Sequence, residues 1–295
     1  MITTNIEFLR DPFILLHDGV YYAYGTGVIN DDWNNTVWAC YKNTSGRLDG
    51  EWVMTPNLVY VDPECAVKNH WAPEVHKYNG SFYMFATYYS SKTEHKGCAI
   101  LKSASPEGPF VQISDGHVTP SDIDAIDGTL YVDRDGAPWM VYVHEWSCTE
   151  DKVGRMAAAK LSDDLTHFIS EPTELFRADE PSWADGEVTD GCFLLDAEDG
   201  SLLMLWSNFC VDGYCVGVAK SKSGDILGPW EQEDELLFSK KITGKYGGGH
   251  GMIFRDTDGV RYLSVHSPNS PNEEGGERTL LIPIREEDGK LSCIV

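Results

Sequence analysis

Along this chain a short apolar run is repeatedly followed by a tight polar turn and a second run rich in aromatic residues. The clearest copy spans residues 127–142, where Thr-Leu-Tyr-Val precedes Asp-Arg-Asp-Gly and Ala-Pro-Trp-Met-Val-Tyr returns. Two such runs joined by Asp-Gly or Asn-Gly are typical of a β-hairpin. The pattern predicts one hairpin at each of its five copies, which begin at Asp11, Ala72, Asp127, Asp190 and His250.

The spacing of the copies indicates how the hairpins are arranged. Successive starts are 61, 55, 63 and 60 residues apart, and a regular period of this kind is the signature of a repeat architecture. A period of about 60 residues accommodates four strands with their loops, which make one propeller blade. Helical periodicity is absent. We therefore predict an all-β protein in which residues 1–295 form a single five-bladed β-propeller with four-stranded antiparallel blades.

The net charge narrows the range of partners. The chain has 47 Asp and Glu residues against 23 Lys and Arg residues, which gives a formal net charge of -24. Such an excess of negative charge opposes binding to nucleic acid or to an anionic membrane, and no apolar run reaches the length of a membrane span. We expect a neutral or cationic ligand rather than a phosphorylated one, and neither of those partners, while the oligomeric state stays open.

The cysteines and the N-terminal segment suggest a compartment. Eight cysteines are scattered along the chain, without the compact framework of a disulfide-rich domain or the paired C-x-x-C spacing of a zinc site. The first ten residues have neither the basic region nor the apolar stretch of a secretory signal. These features predict free thiols in a reducing environment, and hence a cytoplasmic location.

Propeller geometry brings residues that are far apart in sequence to one place. The innermost strands of all five blades line the central channel and run in the same direction, so their first residues meet on one face around the axis. Three of these residues are carboxylates, Asp11, Asp127 and Asp190, and a fourth is His250. We therefore expect a cluster of three acids and a histidine at one mouth of the channel.

The ends of the second strands return to the same face and are expected to form a substrate-binding rim. These ends carry Tyr88 and Tyr89, His144-Glu-Trp146, Ser207-Asn208 and His266. The predicted substrate-binding residues, some of them from other strands, are Trp71, Tyr88, His144, Trp146, Asn208, His250, His266 and Arg278. Trp71 and Trp146 are the best placed to stack on sugar rings. Arg278 either binds substrate or pairs with Glu277 and Glu274.

Three carboxylates in a partly enclosed pocket suit glycoside hydrolysis. Burial and like charges push their titrations apart, so one acid can stay protonated while another stays ionised. In an inverting enzyme the acid protonates the leaving oxygen and the carboxylate activates water, at a separation of about 6.5 to 9.5 Å. Each aspartate taken alone could instead cap a turn. That structural role is expected for Asp133 and Asp256 in the predicted hairpin turns.

Several motifs in blade order resemble the family 43 glycoside hydrolases. They are Arg10-Asp-Pro-Phe13, His70-Trp-Ala-Pro-Glu74, Ile126-Asp127 leading into Tyr131-Val-Asp-Arg-Asp-Gly136, and the Gly-Gly-His250-Gly element. The resemblance covers nearly the whole chain. It implies a five-bladed propeller of the inverting α-L-arabinofuranosidases, β-xylosidases, arabinanases and some galactosidases. It also implies that Asp11 is the general base and that Asp127 tunes and orients the proton donor. No cofactor is implied, but a calcium ion near His250 is allowed, with His250 as the metal-associated residue.

The proton donor departs from the family pattern. The family usually has Glu-Gly-Pro at the start of blade four, whereas this chain has Asp190-Gly191-Cys192. We predict Asp190 as the donor and keep Glu187, three residues upstream, as the alternative.

Two classes of function follow. The first is an inverting hydrolase that removes terminal arabinofuranose or xylose residues from short oligosaccharides, with a β-D-galactofuranosidase or an endo-arabinanase as variants on the same fold. The second is a sugar-binding propeller that has lost catalysis, because Asp190 and Cys192 replace the usual glutamate and proline. The choice of sugar and of exo or endo action is expected to depend on loops at residues 33–36 and 269–276, since loops carry specificity.

Overall fold

The strands of this protein form five antiparallel sheets arranged as the blades of a propeller. The computed structural model describes residues 1–29, 32–55, 60, 63–244, 247–270 and 276–295. Within these ranges helical structure is limited to a 3-10 turn at Trp146–Cys148 and a short helix, α1 (Lys240–Thr243). No helix in the described part of the chain is long and apolar enough to cross a membrane. The predictions of an all-β chain and of five blades are confirmed.

The strands follow one another around the ring in chain order, each blade running from the axis outwards. The N-terminal strand is β1 (Ile2–Thr3). Blade one contains β2 (Arg10–His17), β3 (Val20–Ile29), β4 (Asp32–Asn43) and β5 (Val53–Met54). Blade two contains β6 (Ala66–Tyr78), β7 (Ser81–Ser90), β8 (Lys96–Ser103) and β9 (Val111–Gln112). Blade three contains β10 (Ala125–Val132), β11 (Pro138–His144), β12 (Arg155–Lys160) and β13 (Thr173–Arg177).

The last two blades complete the circle. Blade four contains β14 (Asp190–Asp196), β15 (Leu202–Cys210), β16 (Gly213–Ser221) and β17 (Trp230–Gln232). Blade five contains β18 (Gly249–Arg255), β19 (Arg261–Pro268), β20 (Glu277–Glu287) and β21 (Lys290–Cys293). It also gains β1, because Ile2 pairs with Leu281 and Thr3 with Leu280. The two ends of the chain thus meet in one sheet, which has five strands rather than the predicted four.

Contacts between neighbouring blades hold the ring together. The inner strand of each blade contacts the inner strand of the next, and β18 contacts β2 to close the circle. Large aromatic side chains fill the space between blades: the Trp38 ring of blade one packs against His70 of blade two at a centroid distance of 4.9 Å. Trp206 of blade four packs against Phe176 of blade three at 5.3 Å. Burying such side chains contributes roughly 2–3 kcal/mol each.

The aspartates at the far ends of the inner hairpins are structural, as predicted. Asp133 Oδ1 accepts the N–H groups of Asp135 and Ala137, at 3.0 and 2.8 Å. Asp256 Oδ1 accepts two N–H groups in the same way, at 2.9 and 2.8 Å. Both side chains hold turns at the end of the propeller opposite to the acid cluster.

The two segments expected to act as specificity loops have different outcomes. Residues 33–36 lie within strand β4, where Thr36 pairs with Val28 of β3, so the expected loop is a strand. The hairpin formed by β3 and β4 simply extends further than its sequence pattern suggested. In the second segment, residues 271–275 lie outside the described residues.

Candidate active site

Each inner strand begins with a β-bulge on the same face of the propeller. In every blade the pairing register slips by one residue near the start of this strand. One residue of each bulge has a positive φ between 40° and 56°; these five residues, the axial ring, are Asp11, Ala72, Asp127, Gly191 and His250. For a residue other than glycine this conformation costs about 1 kcal/mol or more. Four of the five ring residues are not glycine and therefore carry that strain.

The prediction that Asp190 stands level with Asp11 and Asp127 is off by one residue. In blade four the residue with positive φ is Gly191, and Asp190 precedes it. Asp190 therefore occupies the position that Arg10 has in blade one. The alignment of the repeats rested on residue type, whereas the bulge is defined by the backbone.

His250 joins two of the predicted acids. Its Nδ1 atom lies 3.2 Å from Asp11 Oδ1 and 3.7 Å from Asp127 Oδ2. His250 belongs to blade five and Asp127 to blade three, so the imidazole must pass the ring residue of blade four. A Cβ atom on Gly191 would lie 2.7 Å from His250 Cγ. Glycine at this position is therefore required by the approach of His250 as well as by its φ of +56°.

The electrostatics of this cluster favour a charged histidine beside an ionised Asp11. Burial opposes the imidazolium, but the carboxylates of Asp11 and Asp127 outweigh burial and raise the pKa of His250 to about 10. Burial also works against the Asp11 carboxylate, yet His250 and then Arg10 hold the pKa of Asp11 well below its ordinary value. Asp11 is therefore an anion at neutral pH.

The carboxyls of Asp127 and Asp190 have raised pKa values, in contrast to Asp11. Burial is the largest cause that raises the pKa of both carboxyls, and the charge of Asp190 raises the pKa of Asp127 further. The Tyr214 hydroxyl donates to Asp190 Oδ2 at 3.0 Å. Burial, followed by the charge of Asp190, raises the pKa of Tyr214 well above its ordinary value, so the phenol keeps its proton. Asp127 and Asp190 thus form a pair that resists full ionisation.

Hydrogen bonds between blades hold the axial ring in place. At four of the five junctions, the N–H of a ring residue donates to a side chain on the second strand of the preceding blade. The bonds run from Ala72 N to Thr26 Oγ1 (2.8 Å), from Asp127 N to Thr87 Oγ1 (3.0 Å), from His250 N to Ser207 Oγ (2.8 Å) and from Asp11 N to His266 Nδ1 (3.2 Å). At the fifth junction Gly191 N donates instead to Asp127 Oδ2, at 3.0 Å.

An aromatic wall stands beside the acid cluster. The pocket that contains Asp11, Asp127, Asp190 and His250 is also lined by Trp71, Glu145 and Trp146. The ammonium of Lys96 lies 5.2 Å from the centroid of the Trp71 ring and forms an ion pair with Glu145. Trp146 is 39% exposed. Flat indole rings offer apolar surface to the face of a sugar. Both tryptophans line the pocket, and their stacking on a sugar stays a prediction.

The pocket continues beyond Asp190 into a second lobe. The two lobes share Arg10, Asp190, Phe209 and Tyr214. The second lobe is also lined by Asp212, Lys240, His266, Pro268, Ser270 and Glu277. Asp190 therefore stands where the two lobes meet.

Glu187, the alternative donor, has a different environment. Its side chain is exposed, and its carbonyl oxygen accepts the Gly154 N–H at 2.7 Å. Among the residues that the structure describes, Val188 and Asp190 line the pocket and Glu187 lines neither lobe. The structure thus brings Asp190, and not Glu187, to the acid cluster.

Three predicted rim residues lie away from the pocket. Tyr88, His144 and Asn208 each stand one residue beyond the second-strand position that faces the axial ring, and successive strand residues point to opposite faces. Tyr88 is fully buried, and its hydroxyl donates to Gln112 Oε1 at 3.2 Å. Asn208 is fully buried, and its Nδ2 donates to two backbone carbonyl oxygens at 3.1 Å. These two side chains support the fold.

His266 is the rim residue that meets the acid cluster directly. Its ring stacks on Tyr214 at a centroid distance of 5.5 Å, and its Nδ1 accepts the Asp11 N–H. Burial, followed by the charge of Arg10, lowers the pKa of His266 well below its ordinary value. The imidazole is therefore neutral and carries its hydrogen on Nε2.

Arg278 forms a contact that neither sequence alternative included. Its Nε atom donates to Asn269 Oδ1 at 2.5 Å. Glu277, one of the two predicted partners, forms an ion pair with Arg10 at 3.2 Å. Glu274, the other predicted partner, lies outside the described residues. Arg278 does not line either lobe in the described part of the chain.

A metal site is not evident near His250. No group of three or more His, Cys, Asp or Glu side chains in the described ranges has an arrangement suited to a metal ion. The imidazolium of His250 already supplies positive charge between Asp11 and Asp127. The calcium ion near His250 stays a prediction.

Sequence reasoning missed Thr26, Tyr214 and Arg10 as site residues. Thr26 Oγ1 donates to Asp11 Oδ2 at 2.6 Å. A signal for Thr26 was present, because in four of the five blades a polar residue that supports the axial ring lies 15 or 16 positions after a ring residue. Tyr214 lies on a third strand, and no repeat position in the sequence marked it.

Comparison with known proteins places these features among carbohydrate-active enzymes. A solved structure of an endo-arabinase from Bacteroides thetaiotaomicron VPI-5482 is 35% identical to this chain, covers 98% of it and 99% of that chain, and superposes with a TM-score of 0.83. An extracellular endo-α-(1→5)-L-arabinanase 1 of Bacillus subtilis (strain 168) is 27% identical over 76% of this chain and 68% of the relative.

An extracellular exo-α-(1→5)-L-arabinofuranosidase of Streptomyces avermitilis is 23% identical over 92% of this chain. The matched part spans 56% of that relative's length.

The prediction of a cytoplasmic location is wrong by this comparison, because both curated relatives are extracellular. Its physical basis was weak as well. All eight cysteines are free and six are buried. Burial raises the pKa of Cys40 and of Cys98 to about 12. Buried thiols of high pKa are inert, so they carry no information about the redox state of the compartment.

The family model for glycosyl hydrolases family 43 matches residues 8–291. That range includes the axial ring, the aromatic wall and all five inner strands, and it agrees with the motifs that first suggested the resemblance. The chain is a glycoside hydrolase that belongs to glycosyl hydrolases family 43.

Proposed function

We propose that this enzyme hydrolyses α-(1→5)-linked L-arabinofuranose chains with inversion of configuration. The substrate class is supported by the activities for which the relatives are named, two of which are an endo-arabinase and an endo-α-(1→5)-L-arabinanase. The observation that supports the mechanism is the separation of the carboxyl pKa values. The pKa of Asp11 is lowered, whereas the pKa of Asp190 is raised. Two carboxyls whose environments push their pKa values apart supply a base and an acid.

In this proposal Asp11 is the general base. A water molecule attacks the anomeric carbon and gives a proton to Asp11, whose carboxylate stays ionised between His250 and Arg10. The hydroxyl of Thr26 donates to Asp11 Oδ2 at 2.6 Å. This bond fixes Oδ2, while Oδ1 lies 3.2 Å from His250 Nδ1 and accepts the water with its remaining lone pair.

Asp190 is the proton donor. The bond between the anomeric carbon and the glycosidic oxygen breaks, and the Asp190 proton moves to that oxygen. Tyr214 occupies Asp190 Oδ2 as a hydrogen-bond donor at 3.0 Å, so the proton is carried on Oδ1. Burial, followed by the charge of Asp11, holds the pKa of the donor high. Asp127, which the Gly191 N–H joins to the donor strand at 3.0 Å, orients the donor, in accord with the role that the family resemblance implied.

The two-lobed cleft supports endo action. The lobes meet at Asp190 and extend from it in two directions, one towards Trp71 and Trp146 and the other towards Lys240 and Glu277. A chain that passes through both lobes has sugar residues on each side of the scissile bond. Removal of terminal residues, the activity first expected from the sequence, would need only one lobe.

A substrate panel tests this proposal. The purified protein is incubated with linear arabinan, arabino-oligosaccharides, and the p-nitrophenyl glycosides of α-L-arabinofuranose, β-D-xylose and β-D-galactofuranose. We expect internal cleavage of arabinan into oligosaccharides of mixed length, and no cleavage after the Asp11→Ala substitution. Release of monosaccharide alone would support the exo variant instead. Binding of sugar without cleavage of any substrate would favour the binding-only alternative and contradict the proposal.

A further inference from the structure

The junction between blades three and four differs from the other four. The second-strand position that faces the axial ring carries a polar side chain in four blades: Thr26, Thr87, Ser207 and His266. In blade three the same position is Val143, which is fully buried. The side chain of valine has no atom that accepts a hydrogen bond. The Gly191 N–H, left without such an acceptor, donates to Asp127 Oδ2 at 3.0 Å.

Blade one indicates what a hydroxyl does at this position. Thr26 Oγ1 donates to Asp11 Oδ2 at 2.6 Å and accepts the Ala72 N–H at 2.8 Å. The hydroxyl therefore stands between the carboxylate and the next blade. In blade three nothing stands between them, so the Asp127 carboxylate bonds directly to the next blade, at the residue that follows Asp190.

We propose that Val143 is a positioning residue for the reaction: because it lacks a hydroxyl, it leaves the Gly191 N–H to Asp127 and fixes that carboxylate against the strand that carries Asp190. This inference rests on the proposed function, in which Asp127 tunes the donor. A hydrogen bond from a buried N–H to a carboxylate is short and directional. It sets the separation of Asp127 and Asp190, and their mutual repulsion depends directly on that separation.

A role in packing alone makes a different prediction. Val143 belongs to the apolar core shared by blades three and four, so any substitution there changes stability. Threonine has nearly the shape of valine. A hydroxyl at this position could accept a hydrogen bond from the Gly191 N–H and donate one to the Asp127 carboxylate. The Val143→Thr variant is therefore expected to fold and to copy the arrangement of blade one.

The kinetic test compares Val143→Thr with Val143→Ala. For Val143→Thr we expect kcat on arabino-oligosaccharides to fall by about tenfold to a hundredfold, the range expected of a small misplacement, with KM unchanged. The alkaline limb of the pH profile should move to lower pH, because Asp127 withdraws from Asp190. Val143→Ala, which also lacks a hydroxyl, should lower Tm and leave that limb unchanged. A wild-type alkaline limb in folded Val143→Thr, or the same shift in both variants, would overturn the inference.

A second measurement does not depend on activity. In the wild-type protein, the backbone amide resonance of Gly191 should shift strongly when Asp127 is replaced by Asn. In the Val143→Thr background the same replacement should have little effect on it. If the Gly191 resonance ignores Asp127→Asn in the wild type, the inference fails, whatever the enzyme cleaves. If the resonance responds but no sugar is cleaved, the proposed function fails while the hydrogen bond stands.

Discussion

The starts of blades one and three hold the same residue in the same backbone conformation, with opposite electrostatic results. Asp11 and Asp127 both have a φ of 55° and both point to the axis. Asp11 lies beside Arg10 and His250, and its pKa is lowered, whereas burial and Asp190 raise the pKa of Asp127. The charge state of each aspartate is therefore set by its neighbours and not by residue type or backbone. That contrast gives two identical side chains different tasks.

The largest expected effect comes from removing Asp11, the aspartate of blade one. Replacing Asp11 with Ala removes the general base, and kcat on arabino-oligosaccharides should fall by about a thousandfold or more, within the range known for such groups. The matched control is Asp133→Ala, which removes an aspartate from a turn at the other end of the propeller. The control should keep wild-type kcat. Equal activity of wild type and Asp11→Ala would remove the base from the mechanism.

The second prediction concerns Asp127, the aspartate of blade three. Asp127→Asn keeps the shape of the side chain but removes a carboxyl whose pKa is raised by the charge of Asp190. Repulsion between two carboxylates acts on both of them, so its removal makes ionisation of Asp190 easier. We expect kcat to fall by about a hundredfold and the alkaline limb of the kcat/KM profile to move to lower pH. An unchanged alkaline limb would mean that Asp127 acts only by position.

The third prediction concerns substrate binding beside both aspartates. Trp71→Ala removes one face of the aromatic wall, so KM for arabino-oligosaccharides should rise by roughly tenfold, since stacking contributes on the order of 1 kcal/mol. Trp139→Ala is the control, because Trp139 donates to Asp133 Oδ2 at 2.8 Å far from the pocket. It should lower Tm and leave KM unchanged; a loss of affinity in the control alone would contradict the assignment of the wall.

The fourth prediction concerns stability rather than catalysis and tests the charge of His250. The folded protein keeps the His250 proton up to about pH 10, whereas the unfolded chain releases it near pH 6.5. The stability from this proton is complete below pH 6.5 and is lost as pH rises towards 10, at about 1.4 kcal/mol per pH unit. The free energy of unfolding, measured with urea at pH 7, 8 and 9, should fall with rising pH more steeply for wild type than for His250→Gln. The difference between the two slopes should be this value. Parallel curves would refute a charged His250.

The sequence predicted the fold closely because the hairpin repeats at a nearly constant period. The positions of Asp11, Asp127 and His250 followed from that period together with the geometry of a propeller. The errors were of one residue: Asp190 precedes its ring position, and Tyr88 and Asn208 follow theirs. In a β-strand an offset of one residue reverses the direction of a side chain. An error of one residue in register was therefore enough to assign Tyr88 and Asn208 to the wrong face of their strands.

Other features of the site were beyond the reach of the sequence. Tyr214 comes from a third strand, and its contact with Asp190 depends on how blade four twists. The hydrogen bond from Gly191 to Asp127 joins residues 64 positions apart. The contrast between Asp11 and Asp127 arises from burial and from charges contributed by other blades, which no local pattern records.

The most direct test of the acid and base assignment compares Asp190→Asn with Glu187→Gln on two kinds of substrate. One is an arabino-oligosaccharide, whose leaving sugar needs a proton, and the other is its dinitrophenyl glycoside, whose leaving group does not. We predict that Asp190→Asn loses at least about a hundredfold in kcat/KM on the oligosaccharide and far less on the aryl glycoside, while Glu187→Gln matches wild type on both. An active Asp190→Asn beside an inactive Glu187→Gln on the oligosaccharide would contradict the assignment.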